Sequence, residues 1–293
     1  MRVFVTGGSG WIGSALIPEL VAAGHHVLAL ARSDASAEAV TELGAHALRG
    51  DLTDTTIVSS GAADTDGVIH LAYRHDLGQA AGAEADAAAI NAFIDTLAGT
   101  DKPLVVTGAT LRRRGRVATE RDELVPEGPI AARIVNLRTA HAAAQRGIRT
   151  SLVMIPRSVH GEGERHGFIP QLIDRARDKR VSGYTGDGAN RWPAVHVKDA
   201  ATLYRLALER APAGSIQYAV GDQGVAVREI AAAIGRHLDI PARSLPPTDF
   251  VPPLSMVLGA DMPASSTITQ QSLGWTPTHP GLIDDIESGH YFT

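Results

Sequence analysis

The 293-residue sequence contains no cysteine, which excludes disulfides and thiolate chemistry without fixing a compartment. Positive charge is not in excess: 27 Lys and Arg stand against 32 Asp and Glu, a net charge of -5. That balance disfavours nucleic acid as a general partner, and no Lys/Arg-rich helix suggests attachment to a membrane. No apolar run is long enough to read as a membrane span, and the chain starts on a buried-strand pattern rather than a signal peptide. A soluble, cytoplasmic protein is the expectation. There is no internal repeat. What remains, 44% hydrophobic residues, supports one large core or a large and a small domain.

The most informative segment is the first. An apolar strand, Val3-Phe4-Val5, runs into spaced glycines, Gly7, Gly10 and Gly13. Gly7 suits the tight turn, Gly10 leaves the backbone open to a pyrophosphate, and Gly13 lets the next helix, expected over Ser14 to Ala23, sit close to the sheet. Trp11 and Ile12, which lie between Gly10 and Gly13, join them as cofactor-binding candidates. Further apolar runs follow at Val27 to Leu30, Ala45 to Leu48, Gly67 to Ala72, Pro103 to Thr107 and Thr150 to Ile155, with helical segments between them, notably Glu84 to Leu97 and Ala131 to Gln145. Strands and helices in alternation predict an α/β fold, a doubly wound parallel Rossmann sheet covered on both faces. The predicted division is a dinucleotide-binding domain over 1–158 and a smaller C-terminal substrate-binding subdomain over 159–293, with parts of about 192–222 returning to the first. Pro246 to Pro253 reads as a turn-rich crossover.

Cofactor choice is read at the end of the second strand. A carboxylate there selects NAD by binding the adenosine ribose hydroxyls. The sequence instead reads Ala31-Arg32-Ser33. Arg32 can neutralise a ribose 2'-phosphate and Ser33 can add a hydroxyl, so NADP(H) is expected over NAD(H). Asp51 and Leu52, after the third strand, are expected to flank the adenine.

The glycine loop, Gly50-Asp51-Leu52, His70-Leu71-Ala72 and Gly186-Asp187-Gly188 through His196-Val197-Lys198-Asp199 together resemble the extended and atypical short-chain dehydrogenase/reductases, in particular the NAD-dependent epimerase/dehydratase group. The resemblance implies a substrate cleft between two domains, with Leu71, Ala72 and Tyr73 beside the dinucleotide. It also implies a backbone approach to the nicotinamide carboxamide by the segment containing Pro156, Ser158 and Val159. The family's usual Tyr-x-x-x-Lys pair is missing: its positions fall near Pro129 and Arg133. Arg133 can hold the nicotinamide ribose but is a poor proton relay. Thr107 is expected near the cofactor and Thr110 as a hydroxyl donor to substrate. Tyr73 is the first choice for the proton-transferring group and His75 the second, while His160 is a further catalytic candidate beside the nicotinamide or substrate.

Other conspicuous residues have both functional and ordinary readings. One or two of Arg112, Arg113, Arg114 and Arg116 can hold a substrate anion, while the others pair with Glu120 and Asp122. Arg191 can meet a substrate, Trp192 can form an aromatic wall, and Asp199 is expected to cap the helix that follows. The histidines of His160 to His166 do not specify a coordination polyhedron, and no metal is expected. The expected function is hydride transfer to or from a small or medium organic carbonyl or alcohol. An epimerase/dehydratase and a nonenzymatic NADP(H)-responsive protein are the alternatives. A homodimer through the sheet-flanking helices is possible on this sequence.

Overall fold

The computed structural model describes residues 1–252 and 254–293, so the last residue of the expected proline-rich crossover, Pro253, lies outside the described residues. The chain opens β1 (Arg2–Thr6), α1 (Trp11–Ala22), β2 (His26–Ala31), α2 (Asp34–Glu42), β3 (His46–Arg49), α3 (Thr55–Ala63) and β4 (Gly67–His70). It continues through α4 (Gly78–Leu97), β5 (Pro103–Ala109), α5 (Ala131–Ala142), β6 (Arg149–Ile155), β7 (Ser158–His160), α6 (Phe168–Lys179), β8 (Ser182–Tyr184) and β9 (Arg191–His196). The remainder is α7 (Val197–Arg210), β10 (Ser215–Tyr218), β11 (Asp222–Ala226), α8 (Val227–Leu238), β12 (Ala242–Ser244), α9 (Leu254–Val257), α10 (Thr267–Leu273) and α11 (Leu282–Glu287).

Seven strands form one sheet in the order β10-β6-β5-β4-β1-β2-β3, parallel throughout. Its strands are apolar on both faces because both are covered. In β1, Val3 and Val5 pack with Leu16, Ile17, Leu20 and Tyr204 on the α1 and α7 side. Phe4 points the other way, into Val58, Phe93 and Leu137 from α3, α4 and α5. The connections run outward from β1 in one direction and from β4 in the other, so the β1/β4 boundary is the switch point, where α/β sheets open a crevice for ligands.

Local chemistry sets the element ends. The predicted strand from Gly67 to Ala72 stops at His70, because Leu71 N–H bonds the Thr6 carbonyl and Ala72 N–H the Thr6 hydroxyl, turning the chain across β1. Helix α4 starts at Gly78, earlier than the expected Glu84, where a positive φ of 77° makes the turn. The small residues Ala80 to Ala83 gave no periodic signal there.

Of the segment 192–222, α7 and β10 lie on the large sheet, α7 against α1. Strand β9 instead joins β7 and β11 in a three-stranded sheet. That smaller sheet, with α6, α8 and α11, closes over a separate core of Trp192, Ile230, Ile234, Phe250, Leu282 and Ile286. No described helix is long and apolar enough to cross a membrane.

Candidate active site

The glycine loop is locked by its own backbone. Gly7 sits at φ +75° with Ala72 N only 2.8 Å from where a Cβ would lie, and a Cβ on Gly13 would fall 2.2 Å from the Gly7 carbonyl oxygen. Gly10 differs: its nearest obstacle is 3.3 Å away, leaving that side of the loop open. It is also the N-cap of α1 and supplies no side chain to cap it. The first N–H groups of the helix, Trp11, Ile12 and Gly13, therefore point out of the loop with the positive end of the helix dipole, a cradle suited to a pyrophosphate. The Trp11 indole N–H reaches across to the Val159 carbonyl at 2.7 Å and ties this loop to β7.

Along the ends of β2, β3 and β4 the charged residues form a chain. Arg32 contacts Asp76 at 3.3 Å with its side chain 57% exposed. Arg74 donates two bonds to Asp51, at 2.7 and 2.9 Å, and a side-on pair to Asp76. Asp76 is accordingly held down to about 2, chiefly by Arg74. Ser33 is less free than the sequence suggests, since its hydroxyl is engaged in the capping box of α2 with Ser36. Leu52 is buried in the core beside Phe4 and Leu30, while Asp51 also accepts from Thr53. Sequence reasoning missed Arg74 and Asp76; the density of charge directly after a strand was the available signal.

Next to the switch point, Tyr73 leaves β4 with the Arg133 guanidinium 4.4 Å from its ring centroid and the His75 ring at 4.7 Å. Its hydroxyl donates to the Gln79 carbonyl at 3.3 Å. Burial, followed by the charge of Arg133, lowers the His75 pKa and favours neutral imidazole. Beneath them lies a buried polar network drawn from four elements. Thr6 Oγ1 is 2.7 Å from His70 Nδ1, His70 Nε2 is 3.1 Å from Asp86, and Asn136 donates to the other Asp86 oxygen at 2.7 Å. Burial opposes ionisation of Asp86, but the His70 and Asn136 bonds prevail and hold its pKa below the usual carboxylate range. With Asp86 ionised, His70 donates from Nε2 and accepts the Thr6 hydroxyl at Nδ1, which leaves Thr6 able to accept the Ala72 N–H.

The other candidates separate by partner. The Thr107 hydroxyl donates to the His70 carbonyl and meets the Tyr204 hydroxyl at 2.9 Å, so it is committed to the core. The Thr110 hydroxyl is buried without a partner among the described residues, as are Ser158 Oγ and Arg133 Nε. Pro156 is buried at the end of β6. Arg113 and Arg116 both bind Asp122, but the expected arginine partner Glu120 instead accepts from the Thr269 amide and hydroxyl. Arg191 is paired side-on with Asp261 at 3.0 Å. Trp192 is fully buried against Phe168, a core residue and not a cleft wall, because β9 faces it inward.

His160 falls in a different group. Its ring is fully buried, with Nδ1 2.9 Å from Asp285 and the His196 ring at 5.6 Å, and His196 stacks on His279 at 4.7 Å. Burial, then His160 and His279, pushes the His196 pKa down to about 4. The cap of α7 is the His196 side chain, which accepts from Lys198 N–H. Asp199 does not cap that helix: its carboxylate accepts from the backbone of Thr278 and His279, fastening the C-terminal tail. Next to this cluster the Glu164 carboxyl, buried and bonded by the Tyr291 hydroxyl, is raised by desolvation to about 7.

A carboxyl whose folded pKa exceeds its free value favours the fold below pH 4.5, and that contribution disappears as pH rises to about 7. Glu164→Gln is therefore expected to flatten this part of the stability profile and to be more stable than the parent at pH 8, by up to about 3 kcal/mol. Urea melts at acid and alkaline pH check it; parallel profiles for the two proteins would reject the assignment.

The pattern of the NAD dependent epimerase/dehydratase family matches residues 3–98 and 106–221. An uncharacterized protein of Schizosaccharomyces pombe is 43% identical, with each chain covered at 100%. A 2-alkyl-3-oxoalkanoate reductase of Stenotrophomonas maltophilia is 31% identical over 73% of this chain and 67% of its own length. Among solved structures, a dTDP-glucose 4,6-dehydratase of Streptomyces venezuelae with NAD bound superposes with a TM-score of 0.79 at 18% identity, over 99% of this chain and 96% of that one, which speaks to fold alone. The glycine cradle, the switch-point crevice and the extent of these matches establish that the chain belongs to the NAD dependent epimerase/dehydratase family.

Proposed function

We propose that the protein is an NADP(H)-dependent oxidoreductase that interconverts a small or medium ketone and its alcohol. The observation that carries this reading is the grouping of Tyr73, Arg133 and His75 at the end of β4, beside the switch point. The name of the Stenotrophomonas maltophilia relative, a reductase of an oxo compound, supports the same class of chemistry.

The α1 N-terminus, through Trp11, Ile12 and Gly13, holds the pyrophosphate, with Gly7 and Gly10 shaping the loop. Arg32 meets the 2'-phosphate, releasing Asp76 from an exposed pair that contributes little by itself. Asp51 stands at the adenine and Leu52 supports that wall from the core. Leu71, Ala72 and Tyr73 line the switch point, Arg133 holds the nicotinamide ribose, and Pro156, Ser158 and Val159 bound the carboxamide. When bound, the reduced nicotinamide supplies hydride to the carbonyl carbon. Tyr73 gives its phenolic proton to the carbonyl oxygen, Thr110 donates a hydrogen bond to the same oxygen, and neutral His75 returns a proton from solvent to Tyr73. Thr107 and His160 act as anchors: the first fixes β5 to β4, the second fixes β7 to the tail. Ile130 and Val135, 42% and 49% exposed beside and on α5, mark the face where a second copy would pack.

Arg32→Ala is expected to weaken NADPH binding by about 10- to 100-fold, the worth of a charge-assisted pair, and to leave NADH binding unchanged. Calorimetry with both dinucleotides checks this; tighter binding of NADH by the parent protein would overturn the preference. Net loss of NADPH absorbance with added ketone separates an oxidoreductase from an enzyme that returns its cofactor unchanged.

A further inference from the structure

Arg157 follows Pro156 at the C-terminal end of β6 and differs from Arg191 and Arg74 in what its guanidinium meets. Arg191 and Arg74 each spend the Nε and Nη2 edge of the guanidinium on a carboxylate, Asp261 and Asp76 respectively. On Arg157 the same edge meets no carboxylate among the described residues. Nη2 reaches only the Met262 sulfur at 3.0 Å, and Nε is buried with no acceptor among the described residues. The guanidinium lies 5.3 Å from the Phe168 ring centroid, packed against apolar surface. Burial, and then the charge of Arg112, disfavour the cation and lower its pKa. Arginine nevertheless stays protonated, so the fold retains a largely desolvated positive charge.

The location gives that charge a use. Arg112 and Arg157 follow adjacent strands, β5 and β6, on the edge where the ends of parallel strands open to ligand. Thr110, whose buried hydroxyl has no partner among the described residues and serves the reacting oxygen in the function proposed above, is joined to the end of β6 by its N–H bond to the Ile155 carbonyl at 2.8 Å. Asp261, an acidic group on which the charge of Arg112 acts, is taken by Arg191. A thioether is a weak acceptor on a flexible, unbranched side chain, so the buried Met262 is a poor partner for the cation and can repack around a better acceptor.

We propose that the Nε–Nη2 edge of Arg157, with Arg112 beside it, is a subsite for a carboxylate carried by the substrate, so that the compounds reduced are oxo acids and not neutral ketones. The proposal rests on the oxidoreductase reading for the identity of the reacting group and on the arginine for the anion. A carboxylate fits this edge because its two oxygens match two parallel N–H donors. Capture there also orients the ketone toward Thr110 and Tyr73, converting binding into alignment.

The test compares β-ketohexanoate with its methyl ester, and follows binding of β-hydroxyhexanoate to the NADP+-loaded protein by calorimetry. The parent is expected to prefer the acid over the ester by about 100-fold in kcat/KM. Arg157→Met, which keeps the packing on Phe168, is expected to abolish that preference through KM and to weaken hydroxy-acid binding by about 30- to 100-fold, with Arg157→Lys recovering part of both. A cooperative melt and retained NADPH affinity verify that the variants fold. Equal use of acid and ester by the parent, an undiminished preference in Arg157→Met, or tighter binding of inorganic phosphate than of the hydroxy acid would each overturn the subsite. If neither ketone consumes NADPH but the hydroxy acid binds in an Arg157-dependent way, the anion site stands and the reduction reading falls.

Discussion

Tyr73→Phe is expected to lower kcat for ketone reduction by about 100- to 10,000-fold, the usual contribution of a positioned proton donor. The change removes one oxygen and leaves the ring between Arg133 and His75, so the packing of the loop after β4 is preserved. The only hydrogen bond lost within the protein among the described residues is the long one to the Gln79 carbonyl, at 3.3 Å, and little stability should go with it. NADPH affinity is expected to stay within about threefold, because the cofactor contacts assigned to this loop come from its backbone and aromatic face. Single-turnover measurement of NADPH oxidation, together with cofactor titration, checks both halves. Unchanged single-turnover rate would remove Tyr73 from the chemistry; equal losses in rate and cofactor affinity would make it a wall of the cofactor site instead. His75→Gln is the companion measurement, since loss of the relay should slow steady turnover more than the first turnover.

Gly13→Val is expected to eliminate measurable NADP(H) binding. A Cβ at this position would fall 2.2 Å from the Gly7 carbonyl oxygen and 2.6 Å from Gly8 Cα, both backbone atoms that cannot rotate away. The helix must shift or the loop must open, and either movement takes the N–H groups of Trp11 and Ile12 off their common focus. Overpacking of this kind costs about 1–3 kcal/mol in a core, and backbone contacts put this case at the upper end. Gly10→Ala separates the two consequences. Its Cβ has one tight neighbour, the Gly7 carbonyl oxygen at 3.3 Å, a far milder clash than at Gly13, so stability should fall much less while the methyl group stands where the dinucleotide approaches. Thermal melts and dinucleotide titration of both variants give the comparison. Normal cofactor affinity in Gly13→Val would show that the loop does not bind the pyrophosphate.

The legibility of the chain follows the range of the forces involved. Strand β1, the glycine loop and α1 were readable because their constraints are local: a continuous apolar run on a strand covered on both faces, then positions where no Cβ fits. The end of β2 was equally plain, since Arg32 stands next in sequence to the strand that presents it. Among the charged residues, sequence proximity was a weaker guide. Asp122 does bind Arg113 and Arg116, but Glu120, only two residues away, faces Thr269 in α10 because the chain turns between them, with the Asp122 N–H bonded to the Thr119 carbonyl. Asp199 lies in the first turn of α7, yet the tail packed there offers its carboxylate two backbone N–H groups from Thr278 and His279.

By itself, the sequence determined the doubly wound sheet, the glycine loop after its first strand and the arginine that follows its second, because each depends on residues close together in the chain. Only the tertiary structure decided which polar groups are satisfied. Thr6, His70, Asp86 and Asn136 become one buried network through four separate elements, whereas Arg157 reaches the interior beside Phe168 and Met262 without meeting a carboxylate among the described residues. The reason is physical: backbone conformation is set mainly by neighbours in sequence, whereas the energy of a charge or hydrogen bond depends on burial and on partners that only folding brings within about 3 Å.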